Sequence, residues 1–198
     1  MFYDASRRDH GLQIDPFKAI VAPRPIGWIS SVSADGVANL APYSFFNAFA
    51  EQPYYVAFGS DGYKDSLRNI TATGVFAVNI VSYELRDAMN VSSALVPSHV
   101  DEFELARLTK VQCNMIAAPR VGESPACLEC RHYKTVELPD DDGHVNSHMV
   151  IGRVVGVHID DRFIENGRLN TAAMQPIARL GYAEYATVEK AWRFKRPT

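Results

Sequence analysis

Ile26-Gly-Trp-Ile-Ser-Ser-Val-Ser33 leads, after Ala34, into Asp35-Gly36 and then Val37-Ala-Asn-Leu-Ala41. The first run is short and β-compatible. Asp-Gly is the strongest short hairpin signal, because a type I′ turn needs positive φ at both central positions. The second run reads as the return strand, with Pro42 ending it. Working outward, Tyr54–Gly59 reads as a strand, and Val75–Val81, β-branched and bounded by Gly74, as the clearest one. Two long strands come late, Ala126–Leu138 and His148–Ile159, and the run Asp140-Asp-Asp-Gly143 between them reads as a solvated hairpin tip.

Helices fill the gaps. Asp65 or Ser66 can cap one that carries Leu67 and Ile70 on one side and stops at Gly74. Ser82 can cap a second, with Leu85 and Met89 four apart. Asp101 can cap a third, with Glu104 at the capping-box position and Phe103, Leu105, Ala106 and Leu108 as its apolar surface. Strands outnumber helices in buried sequence and do not alternate with them regularly. The expected fold is therefore mainly β, a β-barrel with accessory helices, rather than a doubly wound sheet.

The chain has 198 residues and 22.0 kDa, read as a single domain over 1–198. Hydrophobic residues at 47% and charged residues at 22% argue against disorder. A chain of this size buries roughly 70% of its unfolded surface, enough for a core without staples. The net charge of −3 implies no general attraction to nucleic acid or to acidic membranes. No segment reaches the ~18 apolar residues of a membrane span. Met1–Gly11 is polar and lacks the apolar core of an export signal, and three cysteines is a low, odd count. Reduced thiols and a cytoplasmic location are the expectation.

Several motifs fail on their own chemistry. No Walker A and no G-x-G-x-x-G occurs. Gly122-Glu-Ser124-Pro-Ala126 has the outline of a nucleophile elbow, but Pro125 has no N–H to give an oxyanion. Cys127-Leu-Glu-Cys130 lies in β sequence, where odd spacing sends the sulfurs to opposite faces. His144 and His148 on an extended chain stand about 13 Å apart, too far for one ion, and read as polar surface. No metal site is expected. His99 reads as a loop residue. The tail Lys190-Ala-Trp-Arg-Phe-Lys-Arg196 reads as a terminal segment packed on its own subunit or a partner.

Three segments differ from core filler. Pro23-Arg-Pro-Ile-Gly-Trp-Ile-Ser-Ser31 holds an extended entrance, a glycine for close approach, an aromatic and two hydroxyls. Asn39-Leu-Ala-Pro-Tyr-Ser-Phe-Phe-Asn47 mixes hydroxyl, amide and aromatic groups after a strand. Lys64-Asp-Ser-Leu-Arg-Asn69 puts a cation and a hydroxyl at a helix start, where N–H groups and dipole favour an anion. Together they suit a ligand with a phosphate, a polyol chain and a planar ring. Flavin mononucleotide (FMN) fits, and so do other nucleotides; spacing does not choose between them.

These segments resemble the flavin reductase-like, flavoredoxin-type family with the FMN-binding split-barrel fold. Val78-Asn79, Val100-Asp-Glu-Phe-Glu-Leu105, Glu123-Ser-Pro-Ala-Cys-Leu-Glu-Cys130, Val150-Ile-Gly-Arg-Val-Val-Gly-Val157 and Pro176-Ile-Ala-Arg-Leu-Gly181 extend the resemblance over about Pro16 to Tyr185. It implies a six-stranded antiparallel barrel, a homodimer, and one FMN per subunit near the dimer interface. By motif, Trp28, Ile29, Ser30 and Ser31 are expected along the flavin. Ala41, Tyr43, Ser44 and Phe45 are expected around the ring and ribityl chain, and Lys64, Asp65 and Ser66 at the phosphate end. Arg179 is expected near the site, toward the flavin of its own subunit or its partner's. The late motif often carries two glycines; here Tyr182 follows Gly181, and its ring is expected to narrow the pocket.

The function implied is an FMN-dependent reductase. It takes hydride from NADH or NADPH and passes electrons to a monooxygenase component or another electron-accepting partner. A flavoredoxin-type electron carrier, a flavin storage or sensing protein, and a specialised reaction on an organic substrate are the alternatives. Hydride transfer needs no side-chain acid or base, so no catalytic side chain is nominated.

Overall fold

The computed structural model describes residues 1–197. A short helix α1 (Phe17–Ile20) precedes β1 (Arg24–Pro25), β2 (Gly27–Val32), β3 (Ala38–Tyr43), β4 (Phe46–Glu51) and β5 (Tyr54–Asp61). Then come α2 (Asp65–Thr73), β6 (Val75–Asn79), a 3₁₀ turn (Tyr83–Leu85), α3 (Arg86–Val91) and α4 (Glu102–Leu105). A small ladder, β7 (Lys110–Gln112) with β8 (Pro119–Val121), leads to the long hairpin β9 (Ala126–Pro139) and β10 (Val145–Ile159). The last part holds a second small ladder, β11 (Ile164–Glu165) with β12 (Arg168–Leu169), then α5 (Thr171–Met174), β13 (Ile177–Arg179) and β14 (Tyr185–Thr187).

Seven strands form one antiparallel sheet in the order β3-β2-β6-β9-β10-β5-β4. Its two outer strands are consecutive in the chain, separated only by Ser44 and Phe45. They are one bent stretch, which pairs with β2 at its start and with β5 at its end. At the bend the Gly59 N–H donates to the Phe45 carbonyl at 2.7 Å. Counted this way the sheet closes on itself as a six-stranded barrel, the number the resemblance implies. Each half of the bent strand keeps one side without a strand neighbour, so the barrel is split there.

Pro42 does not end its strand. It sits inside β3, opposite Trp28. β3 has a strand neighbour on one side only, where a residue without an N–H is tolerated. The Asp35-Gly36 turn forms, with Gly36 at φ 85° and the Ser33 N–H donating to Val37 at 2.9 Å. Helix α2 stops at Gly74 (φ 73°), whose N–H caps the Ile70 carbonyl. Its start is one residue earlier than a side-chain cap would set it. Lys64 holds the N-cap position, without a side-chain cap bond. Ser82 holds the N-cap position of the 3₁₀ turn, likewise without a side-chain bond. Asp101 does cap α4, accepting from the Phe103 N–H at 2.9 Å, while Glu104 turns to Lys110.

Strand alternation sorts the core. Ile29, Tyr43, Val56, Phe58, Phe76, Val78 and Val150 fill the barrel, joined by Leu67 and Ile70 from α2. Trp28, Leu40 and Val121 point the other way, onto Val81, Met89 and Phe103. The two cysteines of the C-x-x-C part as expected, Cys130 into the barrel and Cys127 onto Cys113 and Ile116. Tyr43, Phe58 and Phe76 stack in series, with centroids 4.6 Å and 5.7 Å apart. Each such buried ring contributes roughly 1.5–3 kcal/mol.

At Gly152 a Cβ would meet the Phe76 ring at 2.3 Å. That ring is wholly buried, so it has nowhere to move. Gly152→Ala should therefore destabilise the fold by about 1–3 kcal/mol, read as a lower midpoint in urea denaturation.

Candidate functional site

A cleft of about 1130 Å³ opens where the bent strand, β5 and the start of α2 meet. Ala41, Tyr43, Ser44 and Phe45 line it from the bend, and Lys64, Asp65 and Ser66 from the helix start. Closing the barrel brings these two groups together; they are about twenty residues apart in the chain. Gly59, Ser60 and Asp61 add the end of β5, His148 the start of β10, and Ser92–Val96 a loop after α3.

At the helix end, no side chain caps α2, so its first-turn N–H groups are available. Ser66 is buried and accepts from Asn39 Nδ2 at 2.9 Å, which leaves its own proton for another acceptor. The Asp65 carboxylate is engaged by Arg68 at 2.5 Å. N–H groups, dipole, Lys64 and a hydroxyl together make an anion site.

Two buried polar atoms of the cleft have no partner: Tyr43 Oη and His148 Nδ1. Burial pushes the Tyr43 hydroxyl above its ordinary range. Ser66 and Ser60 lie near enough to temper that rise, though neither makes a well-formed bond to Oη. Buried polar atoms are normally paired, so both point to a polar ligand. His148 thus lines the cleft instead of the outer surface. It stands opposite Ser60 in the β10–β5 register, and cross-strand partners share a face. A strand-pairing argument would have found it; sequence spacing alone did not. Phe45 presents a ring to the cleft, with Lys18 Nζ 5.9 Å and the Arg24 guanidinium 5.7 Å from its centroid.

Trp28, Ile29, Ser30 and Ser31 are fully buried and do not line the cleft. Their side chains work behind its wall. Trp28 Nε1 donates to Ser92 Oγ at 2.8 Å, and that hydroxyl donates to the Met89 carbonyl, anchoring the Ser92–Val96 loop. Ser30 Oγ donates to the Pro119 carbonyl at 2.6 Å and accepts from Asn79 Nδ2 at 3.0 Å. Ser31 Oγ accepts from Asn69 at 3.3 Å. Arg179 lines a smaller adjoining hollow together with Arg24 and Lys18. Tyr182 lines both spaces, with its backbone at φ 58°. That left-handed conformation suits glycine and is costly for tyrosine. His99 is exposed and does not line the cleft. The tail is exposed too, with Trp192 and Phe194 edge to face. No helix among the described residues is long and apolar enough to cross a membrane.

The fold is a split barrel whose site is a cleft at the bend of its closing strand. The flavin reductase like domain matches residues 21–176. The chain belongs to that family, and its class is that of a flavin oxidoreductase. It is 35% identical over 172 residues to an uncharacterized protein of Aquifex aeolicus, covering 84% of this chain and 85% of that one. Nitrilotriacetate monooxygenase component B from Bacillus cereus superposes with a TM-score of 0.89 at 29% identity, over 98% of each chain. The Pseudomonas fluorescens 2-nitrobenzoate 2-nitroreductase NbaA superposes at 0.87 and 27%, over 100% of this chain and 97% of that one.

Two buried contacts at and behind the site have measurable consequences. Glu102, 6% exposed, lines the cleft and accepts from the Leu40 N–H at 3.0 Å. Burial pushes its carboxyl above the ordinary value near 4.5, partly offset by the Leu40 bond. A raised carboxyl binds its proton more tightly in the folded chain. Its stabilising contribution is full below the unfolded value and lost as pH rises through the folded one. Glu102→Gln removes that loss, so its Tm relative to the parent should rise as pH climbs above the ordinary carboxyl value near 4.5. Trp28→Phe leaves Ser92 without its indole donor. It should cost about 1–3 kcal/mol and speed amide exchange across 89–96.

Proposed function

We propose that this chain is an FMN-binding, NAD(P)H-dependent reductase that works as a homodimer in the cytoplasm. The observation that carries the reading is the cleft's polarity. One end offers uncapped α2 N–H groups with Lys64 and Ser66, and unpartnered Tyr43 Oη and His148 Nδ1 stand in its walls. A phosphate suits the first. A polyol and a ring edge suit the second, with Ala41 and Phe45 as apolar wall.

On this reading Lys64, Ser66 and the α2 N–H groups hold the phosphate. Arg68 keeps the Asp65 carboxylate engaged, so that Asp65 adds its N–H more than its charge. Ser44, Ser60 and Tyr43 take the ribityl hydroxyls, and Phe45 packs on the ring. When bound, FMN supplies a ring that accepts hydride at N5 and passes electrons on. The chain's own task is to orient that ring and keep one face open. Trp28, Ile29, Ser30 and Ser31 act from behind, holding the wall and the Ser92–Val96 loop.

The exposed aromatics Phe49, Tyr54 and Tyr133 on the barrel's outside support a second copy as their cover. The free, buried Cys113, Cys127 and Cys130 suit a reducing compartment. The name of the Bacillus cereus relative supports a monooxygenase component as the electron-accepting partner.

The test is an anaerobic NADH and NADPH titration of the FMN-loaded protein, followed by visible absorbance. Bleaching faster than free FMN shows is the expected result. Bound flavin that stays oxidised with both donors means a flavoredoxin-type carrier or a storage protein instead. In the same preparation Lys64→Ala and Ser66→Ala should each weaken FMN binding by about ten-fold, the loss of one charge-assisted bond. Unchanged affinity in both would overturn the phosphate assignment.

A further inference from the structure

Beside the cleft lies a hollow of about 280 Å³, sharing Lys18, Pro42, Ser44, Ser93 and Tyr182 with it. Lys18, Arg24 and Arg179 line this hollow, and no carboxylate does. Neither Lys64 nor Ser66 reaches it, so a phosphate held at α2 leaves it free.

Arg24 is the unusual member. Only 6% of it is exposed. Its Nη1 donates to the Lys18 and Val21 carbonyls, and its Nη2 to the Leu180 carbonyl at 2.9 Å. Its Nε is buried without a partner. These acceptors are neutral dipoles, which satisfy hydrogen bonds but not net charge. Among the described residues no carboxylate forms an ion pair with Lys18, Arg24 or Arg179. Burial, and then the nearby Arg179 charge, both work against the Arg24 charge. A buried cation without a counter-charge is costly, and two that repel are costlier.

Arg179 is nevertheless held in place. Its Nη2 donates to the Tyr182 carbonyl at 2.6 Å, its Nη1 to Tyr185 Oη, and its guanidinium lies 4.4 Å from the Tyr185 ring centroid. Ser44, Ser93 and Asn90 add neutral donors to the same hollow. A fixed, donor-rich, cationic wall without an acid suits an oxyanion.

We propose that Lys18, Arg24 and Arg179 form a second anion subsite, which takes the carboxylate or phosphate of the ligand that enters the cleft beside the cofactor. The assignment rests on the flavin reading only for the identity of the first occupant. Arg179 on this view serves the second ligand and not the flavin. Arg24 also ties α1 to the end of β13 through its three carbonyl bonds, so the two more peripheral cations are the ones to change.

The experiment is calorimetric titration of the full chain, with and without FMN, using sodium benzoate and, separately, inorganic pyrophosphate at low ionic strength. At least one probe should bind once per chain. Arg179→Gln and Lys18→Gln should each weaken it by about ten-fold, the loss of one charge-assisted contact. FMN affinity should hold in Arg179→Gln, and Lys64→Ala should show the reverse pattern. Benzoate binding assigns the subsite to an aromatic acid; pyrophosphate binding assigns it to the nicotinamide dinucleotide. Binding of neither probe by the parent chain overturns the proposal, as does equal binding by parent and variants. An FMN loss in Arg179→Gln as large as in Lys64→Ala overturns it too, by returning Arg179 to the flavin. A shift from dimer to monomer with probe binding unchanged overturns it by making these cations an interface. If the chain takes no FMN while the variants still lose the probe, the flavin reading fails and the subsite stands.

Discussion

Closure of the barrel by a single bent strand is the constraint on which the rest of the structure depends. Ala38–Glu51 serves two neighbours, β2 before the bend and β5 after it. A strand that must change partners has to leave its ladder briefly, and Ser44-Phe45 is where it does so. The residues at such a break are free to face something other than a neighbouring strand. The cleft opens there. The same closure carries α2 across the barrel end, with Leu67 and Ile70 in the core and the helix start at the cleft. Packing and site are two sides of one geometric requirement.

Polar groups follow a division of labour. Behind the wall most are paired, Arg120 Nη1 excepted. Asn79 donates to the Trp28 carbonyl and to Ser30, and accepts from the Val121 N–H. Ser124 is likewise paired, its hydroxyl 2.7 Å from the Ile80 carbonyl and 2.8 Å from the Ala126 carbonyl. In the cleft walls Tyr43 Oη and His148 Nδ1 are not paired. Leaving a buried polar atom unpaired costs folding free energy. A chain that spends stability at the cleft and saves it behind the wall is shaped for a ligand. Charge is divided in a similar way. A cation and uncapped N–H groups stand at α2, and three cations without an acid stand at the adjoining hollow.

Much of the fold was legible locally. The Asp35-Gly36 turn, the Gly74 stop, the β-branched run at Val75 and the long late hairpin each obey a rule acting within a few residues. Errors came where a neighbour distant in sequence decided the matter. Pro42 stays in its strand because β3 lacks a second strand beside it. Lys64, and not Asp65 or Ser66, takes the N-cap position, because Asp65 is drawn to Arg68 and Ser66 to Asn39. Along β2, alternation turns the Trp28 ring to Ser92, on the opposite side from Ile29, a facing that its motif does not specify.

Local sequence carries the Asp35-Gly36 hairpin, β5, β6, the long late hairpin, α2 and the mainly β class, because these rest on periodicity and turn chemistry; the short ordered motifs carry the family resemblance. It also marked Ala41–Phe45 and Lys64–Ser66 as segments unlike core filler. Which side chains share a space depends on the closed sheet. It set His148 beside Ser60, turned Trp28–Ser31 behind the wall, and put Arg24 and Arg179 into one hollow 155 positions apart in the chain. The reason is physical. A strand residue's facing is set by register and closure, which are properties of the whole sheet and not of any stretch within it.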